Sequence, residues 1–477
     1  MNKPDFIGLD TSYLNAEGDL CRRIHLDGAA SPLAATTALK ALQDYLPHYS
    51  NVHSHVHASA QISTEMLHWA QHQLLAFVNA DPVVYTAVLM GSGTTACVNR
   101  VARGLASMGS GKKTVLVSAM EHHANDLPHR QFGNEIKYLP LEGESTDQGA
   151  VSLIELEKIL KKEAHNIAYI AVSAVSNVTG IINPIASIVE LAHQHNVLVL
   201  VDAAQAVAHL PISLSNEEKG KDQKGLLDAD ADFFIFSGHK LYTPASPGVL
   251  IAKKSVLSTM SGQDLGGGSV SDVSYYDFDL DKDFPAREQS GTPNIAGAVA
   301  LASVVQELGS FGLHNIWQHN QSLMEYLLNE LANIKGLTIY GAEDAERIGA
   351  IAFNHADMDH GLLAAILNDY YMIAVRNECF CAHPYVSSML KQTLWDLELD
   401  DIPLEKQQSV INRKRGMVRV SISLYNEKRD IEKLIHALHE IFSNKTKFLD
   451  LYEPLDDGSY RHTDYVLEWQ DHLLSDK

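Results

Sequence analysis

The chain has 477 residues, 45% of them apolar and 20% charged, with 37 lysines and arginines against 59 aspartates and glutamates for a net charge of −22. That length suggests two or three domains around a large core, and the composition is that of an ordinary globular protein. So acidic a surface repels phosphate backbones and anionic headgroups, which argues against nucleic acid and membrane surfaces as partners.

The first residues, Met1-Asn2-Lys3-Pro4-Asp5, carry no apolar core of the signal-peptide kind. No segment approaches the run of about 20 apolar residues that spans a bilayer, so the cytoplasm is the default expectation. Cys21, Cys97, Cys379 and Cys381 are too few for a disulfide framework and suit a reducing compartment. The segment His53-Ser54-His55-Val56-His57 alternates histidines. On an extended backbone they share a face and could hold a metal. No further ligands of suitable spacing accompany them, so a solvated loop is expected and no metal site is assigned.

Between about residues 60 and 300 two kinds of segment alternate. Val83–Met90, Thr114–Val117, Ile167–Ser173, Val197–Val201, Phe233–Phe236 and Val249–Ile251 read as buried parallel strands. Thr95–Met108, Leu153–Lys162 and Pro184–His195 have helical spacing. The alternation predicts an α/β domain with a mostly parallel sheet flanked by helices, in which ligands sit beyond the carboxyl ends of the strands. Ser215–Asp228 is polar and charged and reads as an inserted surface loop. A long helix over Ala296–Leu308 then opens a smaller α+β domain, with strands near Gly349–Phe353 and Met417–Ile422. The expected organisation is an N-terminal segment (1–25), a large domain (26–295), a small domain (296–444) completed by the N-terminal segment, and a tail (445–477) that is docked or partly disordered.

Four strand ends carry suggestive residues. The first runs into Gly91-Ser92-Gly93-Thr94-Thr95 and a helix, where glycines admit a ligand and free N–H groups face a phosphate, although an ordinary turn has the same residues. The second leads to Glu121-His122-His123-Ala124-Asn125, in which a histidine can be packed, capping or catalytic. The third ends in Asp202-Ala203-Ala204-Gln205. An aspartate there suits a metal, a ribose hydroxyl, a protonated ring nitrogen or the cap of the next helix. The fourth ends in Ser237-Gly238-His239-Lys240, and a lysine directly behind a buried strand is unusual. Consuming its charge in an imine with an aldehyde cofactor resolves the burial. Pyridoxal phosphate needs such a lysine, an anion for its ring nitrogen, a flat partner for its ring and donors for its phosphate. Lys240, Asp202, His122 and the Thr95 loop supply one of each.

These motifs, with Ser176-Asn177-Val178-Thr179-Gly180, Gly266-Gly267-Gly268-Ser269 and Gly291-Thr292-Pro293-Asn294, resemble the class V aminotransferase group of fold-type I pyridoxal-phosphate enzymes. Within that group the chain is most similar to cysteine desulfurases and selenocysteine lyases, from about Leu26 to Phe442. The resemblance implies that Lys240 carries the cofactor and shuttles protons, that His122 stacks on the ring and assists acid–base catalysis, and that Asp202 and Gln205 meet its nitrogen and hydroxyl. Thr94, Thr95, Ser237 and His239 would bind the phosphate. Asn177 would lie near the ring hydroxyl and the substrate carboxylate. Thr292 would reach the phosphate of a neighbouring subunit, implying a homodimer with shared sites. Cys381, five positions beyond Arg376, would take sulfur as a persulfide. Arg419 would grip the carboxylate of an amino-acid substrate, with Arg376 also on the substrate, and a sulfur-acceptor protein could follow. Cys379, two residues before Cys381, could resolve that persulfide or pack as a small hydrophobe. Gln289 stands where the family often has an acid. An aminotransferase, epimerase or C–S lyase of the same group is the alternative function, and a scaffold that has lost catalysis is a further one.

Overall fold

The computed structural model describes residues 3–54, 56–109, 111–132, 135–215, 227–397 and 402–467. His55 and most of the expected loop over Ser215–Asp228 lie outside them.

The larger sheet has seven strands: β1 (Tyr85–Met90), β2 (Thr114–Ser118), β3 (Glu135–Leu139), β4 (Ile167–Ser173), β5 (Leu198–Asp202), β6 (Phe233–Ser237) and β7 (Gly248–Lys253). Their order across the sheet is β1-β7-β6-β5-β4-β2-β3. The unbroken apolar runs follow from two-sided burial. Leu116, Ile170, Val172, Val199, Val201, Phe234 and Phe236 point into one core, while Val115, Val117, Tyr169, Ala171, Leu200, Phe233 and Ile235 point into another. Successive side chains alternate between two dry faces, so neither face can be polar. The sheet is mostly parallel, as expected, with one correction. β7 runs antiparallel to both β6 and β1, because the connection 238–247 is shorter than the dozen or so residues a parallel crossover needs. β3 was not foreseen. It is an edge strand with only Leu139 fully buried, so it lacks the apolar signature of its neighbours.

Helices α1 (Ala58–Phe77), α2 (Gly93–Ser107), α3 (Leu153–Glu163) and α4 (Ile185–Gln194) cover the sheet, joined by α5 (Ile295–Phe311). α6 (Leu313–Ala332) leads to a four-stranded antiparallel sheet of β8 (Leu337–Ile339), β9 (Ala350–His355), β10 (Arg376–Glu378) and β11 (Met417–Ser421), in the order β8-β9-β11-β10. α7 (His360–Tyr371) and α8 (Lys428–Ser443) pack on it.

The two cores divide differently from the expected boundary at 295/296. Ile295, Val299, Val304 and Leu308 of α5, and Ile316 and Trp317 of α6, belong to the large core. Leu323, Leu327 and Leu331 of the same α6 belong to the small one, so the division falls inside that helix. Ile24 and Leu26 enter the small core from the N-terminal side, and Phe448 and Tyr452 enter it from the tail. Among the described residues no single helix is long and apolar enough to cross a membrane. The pair α5 and α6 meets that test only jointly and is bent by 78°.

Candidate functional site

Because β1, β2, β4, β5 and β6 run in one direction, their carboxyl ends share one edge of the sheet. A cleft of about 260 Å³ opens there, between that edge and the β10–β11 face of the small domain. It is lined by Thr94, Thr95, His122, Asn177, Asp202, Gln205, Ser237, His239 and Lys240 from the large domain and by Arg376, Cys381 and Arg419 from the small one.

One end is built for an anion. The chain turns through Ser92 (φ 31°) and Gly93 (φ 61°) into α2. Thr94 N–H donates to Ser237 Oγ at 2.7 Å, and the Thr94 and Ser237 hydroxyls share a hydrogen bond at 2.6 Å. A Cβ on Gly93 would stand 2.7 Å from Ser237 Oγ, and one on Gly248 would stand 2.2 Å from Gly93 O. Both glycines are therefore demanded by close approach, and the turn presents the first N–H groups of α2 and the hydroxyl of exposed Thr95 to the cleft. Gly248 carried no signal in the sequence beyond a glycine at the head of a strand.

The middle of the cleft holds Lys240, Asp202 and His122. Among the described residues, nothing accepts a hydrogen bond from the Lys240 ammonium. Burial pushes its pKa down to about 8, against the pull of Asp202, with Arg419 lowering it further. Asp202 is buried, and burial raises its carboxyl above the usual range while the Ala204 N–H, at 2.9 Å, and Lys240 oppose the rise. Burial, with Lys240 next in weight, takes His122 down to about 3, so its ring is neutral at physiological pH. His122 Nδ1 accepts from Ala124 N–H at 3.0 Å, which places the ring proton on Nε2. Capping and facing the cleft thus coincide in His122, whereas Asp202 holds the turn that follows its strand and starts no helix. Gln205 Nε2 donates to Ala29 O at 2.8 Å, which leaves its amide oxygen open.

Glu121 had no assigned role in the sequence, yet it ties this region together. Its buried carboxylate accepts from Ser118 Oγ, from Ser173 N and Oγ at 2.7 and 2.5 Å, and from Asn125 Nδ2 at 2.7 Å. It thereby joins the ends of β2 and β4 to the loop that carries His122. Burial raises its pKa to about 7 despite those donors.

On the small-domain side Arg376 stands directly across the β10–β11 pair from Arg419. Like charges in such a pair repel, so the arrangement favours an anion between them. Arg419 is buried. Its two outer nitrogens donate to Asn177 O at 2.9 Å and to Asp27 Oδ1 at 3.0 Å, and its plane lies 4.8 Å from the Phe380 ring. Its Nε has no partner among the described residues. Asn177 Nδ2 donates to Phe380 O at 2.7 Å. Neither Asp27 nor Phe380 was singled out in the sequence. Cys381 is exposed to the cleft. Cys379 is buried among Met120, Ala382 and Tyr385, its thiol reaches Arg415 O at 3.2 Å, and burial pushes it up to about 11. That environment suits a packed hydrophobe rather than a reactive thiol.

Thr292, His53, His57 and Gln289 lie apart from the cleft. Thr292 is exposed and accepts from Asn51 Nδ2 at 3.1 Å. His53 Nε2 meets Gly291 O at 3.1 Å, and His57 caps α1 through Ala60 N–H at 3.3 Å. Among the described residues no cluster of histidine, cysteine or carboxylate could hold a metal. Gln289 accepts from Gln71 at 3.1 Å, while its neighbour Glu288 forms a buried ion pair with Arg100 at 2.6 Å.

The family model described as aminotransferase class-V matches residues 24–434. A probable cysteine desulfurase of Halalkalibacterium halodurans is 32% identical over 424 residues, which covers 87% of this chain and 92% of that protein. A cysteine desulfurase of Escherichia coli strain K12 / DH10B is 31% identical over 444 residues, 92% of this chain and 98% of that one. Among solved structures, an apo cysteine desulfurase from Thermococcus onnurineus NA1 superposes with a TM-score of 0.75 at 25% identity, over 88% of this chain and 95% of that one. The cysteine desulfurase CsdA (S-sulfonic acid) from Escherichia coli gives 0.70 at 26%, with the same coverage.

Proposed function

Because the chain belongs to the class V aminotransferase family, we propose that it is a pyridoxal-phosphate-dependent cysteine desulfurase, taking sulfur from L-cysteine, or selenium from selenocysteine, and leaving alanine. The observation that carries this reading is the convergence on one cleft of a lysine whose ammonium meets no hydrogen-bond acceptor among the described residues, a buried arginine and an exposed cysteine.

The residues fit the cofactor. Lys240 offers an amine that no hydrogen-bond acceptor holds among the described residues. Asp202 offers a buried carboxylate whose charge a protonated ring nitrogen would balance. The Thr94–Ser237 turn, Thr95 and His239 offer donors to a phosphate, and neutral His122 offers a flat face. When bound, pyridoxal phosphate supplies an aldehyde that captures amines and a protonated ring that withdraws electrons from the substrate α-carbon.

The chain's own groups do the rest. Arg419 and Arg376 hold the substrate carboxylate, with Asn177 beside it. Lys240 Nζ takes the α-proton. Cys381 Sγ, as thiolate, attacks the substrate sulfur. The carbon–sulfur bond breaks, its electron pair stays with the carbon skeleton, and that skeleton takes one proton at the former sulfur-bearing carbon and the α-proton back from Lys240, then leaves as alanine. The sulfur remains on Cys381 until a thiol or an acceptor protein removes it. Thr292 serves the phosphate of a second copy in a homodimer. Its exposure supports that role, and so does the exposed hairpin nearby with Tyr275 and Tyr276 at its tip.

The function is tested by product analysis. Cysteine and excess reductant should give alanine and sulfide in equal amounts, with the cofactor unchanged. A keto acid appearing with the amine form of the cofactor would replace the reading with transamination. A second expectation follows from Lys240. Only the neutral amine captures an aldehyde, so uptake of pyridoxal phosphate by the apoprotein should accelerate with pH and level off near the lysine's value of about 8. Stopped-flow absorbance checks this, and a rate still climbing at the ordinary lysine pKa of about 10.4 contradicts it.

A further inference from the structure

Cys381 sits in a turn that its own sequence disfavours. Ala382 N–H donates to Cys379 O at 2.8 Å, which closes a four-residue turn. Both central residues are left-handed, Phe380 at φ 53° and Cys381 at φ 55°, and Glu378 before them is at φ 88°. Turns with two such residues are ordinarily made of asparagine and glycine. Phenylalanine and cysteine hold that conformation only where the surroundings impose it.

The surroundings can be named. Asn177 Nδ2 grips Phe380 O at 2.7 Å, and His123 N–H grips Cys381 O at 2.7 Å. Both restraints come from the large domain, and His123 is itself held from the other side. The His383 and His123 rings stack with centroids 4.8 Å apart and planes 9° apart. His383 N–H points at His123 Nε2 at 3.3 Å, and His383 Nδ1 lies 3.0 Å from the same nitrogen. A nitrogen that accepts from a backbone N–H carries a lone pair, so His383 Nδ1 carries the proton and is a second donor to it. The contacts form a closed loop. His123 fixes the carbonyl of Cys381, and the residue two places after Cys381 fixes the ring of His123.

We propose that His383 is a positioning residue for Cys381, acting through His123 to keep the strained turn aimed at the cleft. The proposal rests on the reading of Cys381 as the sulfur-accepting nucleophile. His383 is solvent-exposed, so its replacement removes the ring stacking and the Nδ1 contact with His123, leaves the backbone N–H donor in place and does not open the core.

The test uses the cofactor-loaded protein and three variants, His383→Ala, His383→Asn and His383→Gln. Asparagine can place an N–H where Nδ1 donates, and glutamine places it further out. In His383→Ala, kcat for alanine formation should fall on the order of tenfold with KM for cysteine little changed, because the nucleophile is misplaced and the substrate is not. The rate at which iodoacetamide alkylates Cys381, read by peptide mapping, should change several-fold in the same variant. Asparagine should restore both readouts and glutamine should not. Wild-type kcat and alkylation in His383→Ala would overturn the proposal, and so would glutamine performing as well as asparagine. If the wild-type protein releases no sulfur from cysteine, the functional reading falls, and the alkylation series alone then decides for or against the clamp.

Discussion

Lys240→Ala is expected to abolish turnover, by on the order of 10³-fold or more, since it removes both the cofactor's covalent anchor and the base for the α-proton. The replacement leaves the rest of the cofactor site in place. Asp202, the Thr94–Ser237 turn and His122 are positioned by contacts that do not involve Lys240. Pyridoxal phosphate should therefore still bind, more weakly and without a borohydride-reducible bond. Two measurements check this. Borohydride treatment should label Lys240 in the parent protein and nothing in the variant, and alanine formation should vanish. Lys240→Arg should not rescue it, because a guanidinium stays protonated and neither captures an aldehyde nor accepts a proton at neutral pH. A variant that still turns cysteine over, or a parent protein labelled at another lysine, would contradict the assignment.

The second large effect is expected at Cys381. Cys381→Ala should lose sulfur transfer by on the order of 10³-fold, because a nucleophile acting within a catalytic unit takes most of the rate with it. The same variant should keep its cofactor and still bind cysteine, since Lys240, Asp202 and Arg419 are untouched. Cys379→Ala should keep most of the activity. Its thiol is buried against Arg415 O, and burial holds it protonated at neutral pH. Sulfur release from cysteine under reductant, measured across the two variants, separates the cysteines. A loss in Cys379→Ala equal to that in Cys381→Ala would make the pair a functional dithiol instead.

The parts of this molecule differ in how far they could be read in advance, and the reasons are physical. The buried strands announced themselves because two dry faces demand apolar residues along their length, as in Ile167–Val172. The direction of Gly248–Lys253 did not, because strand polarity lies in the length of the preceding connection and not in the strand's own residues. β3, half exposed at the sheet edge, carried too little apolar pattern to be seen. Residues proposed for the cofactor were legible as chemistry at strand ends, and the shared direction of the strands brings them together. What the sequence withheld are the groups whose role lies in contacts across the fold. Glu121 is one acid among many until its four donors are seen. Asp27 lies 392 positions from Arg419, and His383 meets His123 across 260. The division between the two cores is hidden for a similar reason, because α6 is one uninterrupted helix whose two halves face different cores.

Sulfur leaves cysteine onto Cys381 in the proposed reaction. The cofactor-loaded protein, mixed with one equivalent of L-cysteine without reductant and then alkylated and digested, tests it most directly by peptide mass mapping. One additional sulfur atom is expected on the peptide containing Cys381, localised by fragmentation to Cys381 and not Cys379, with one alanine released for each sulfur bound. Alanine formed with no sulfur on Cys381, or no alanine at all from cysteine, would contradict it.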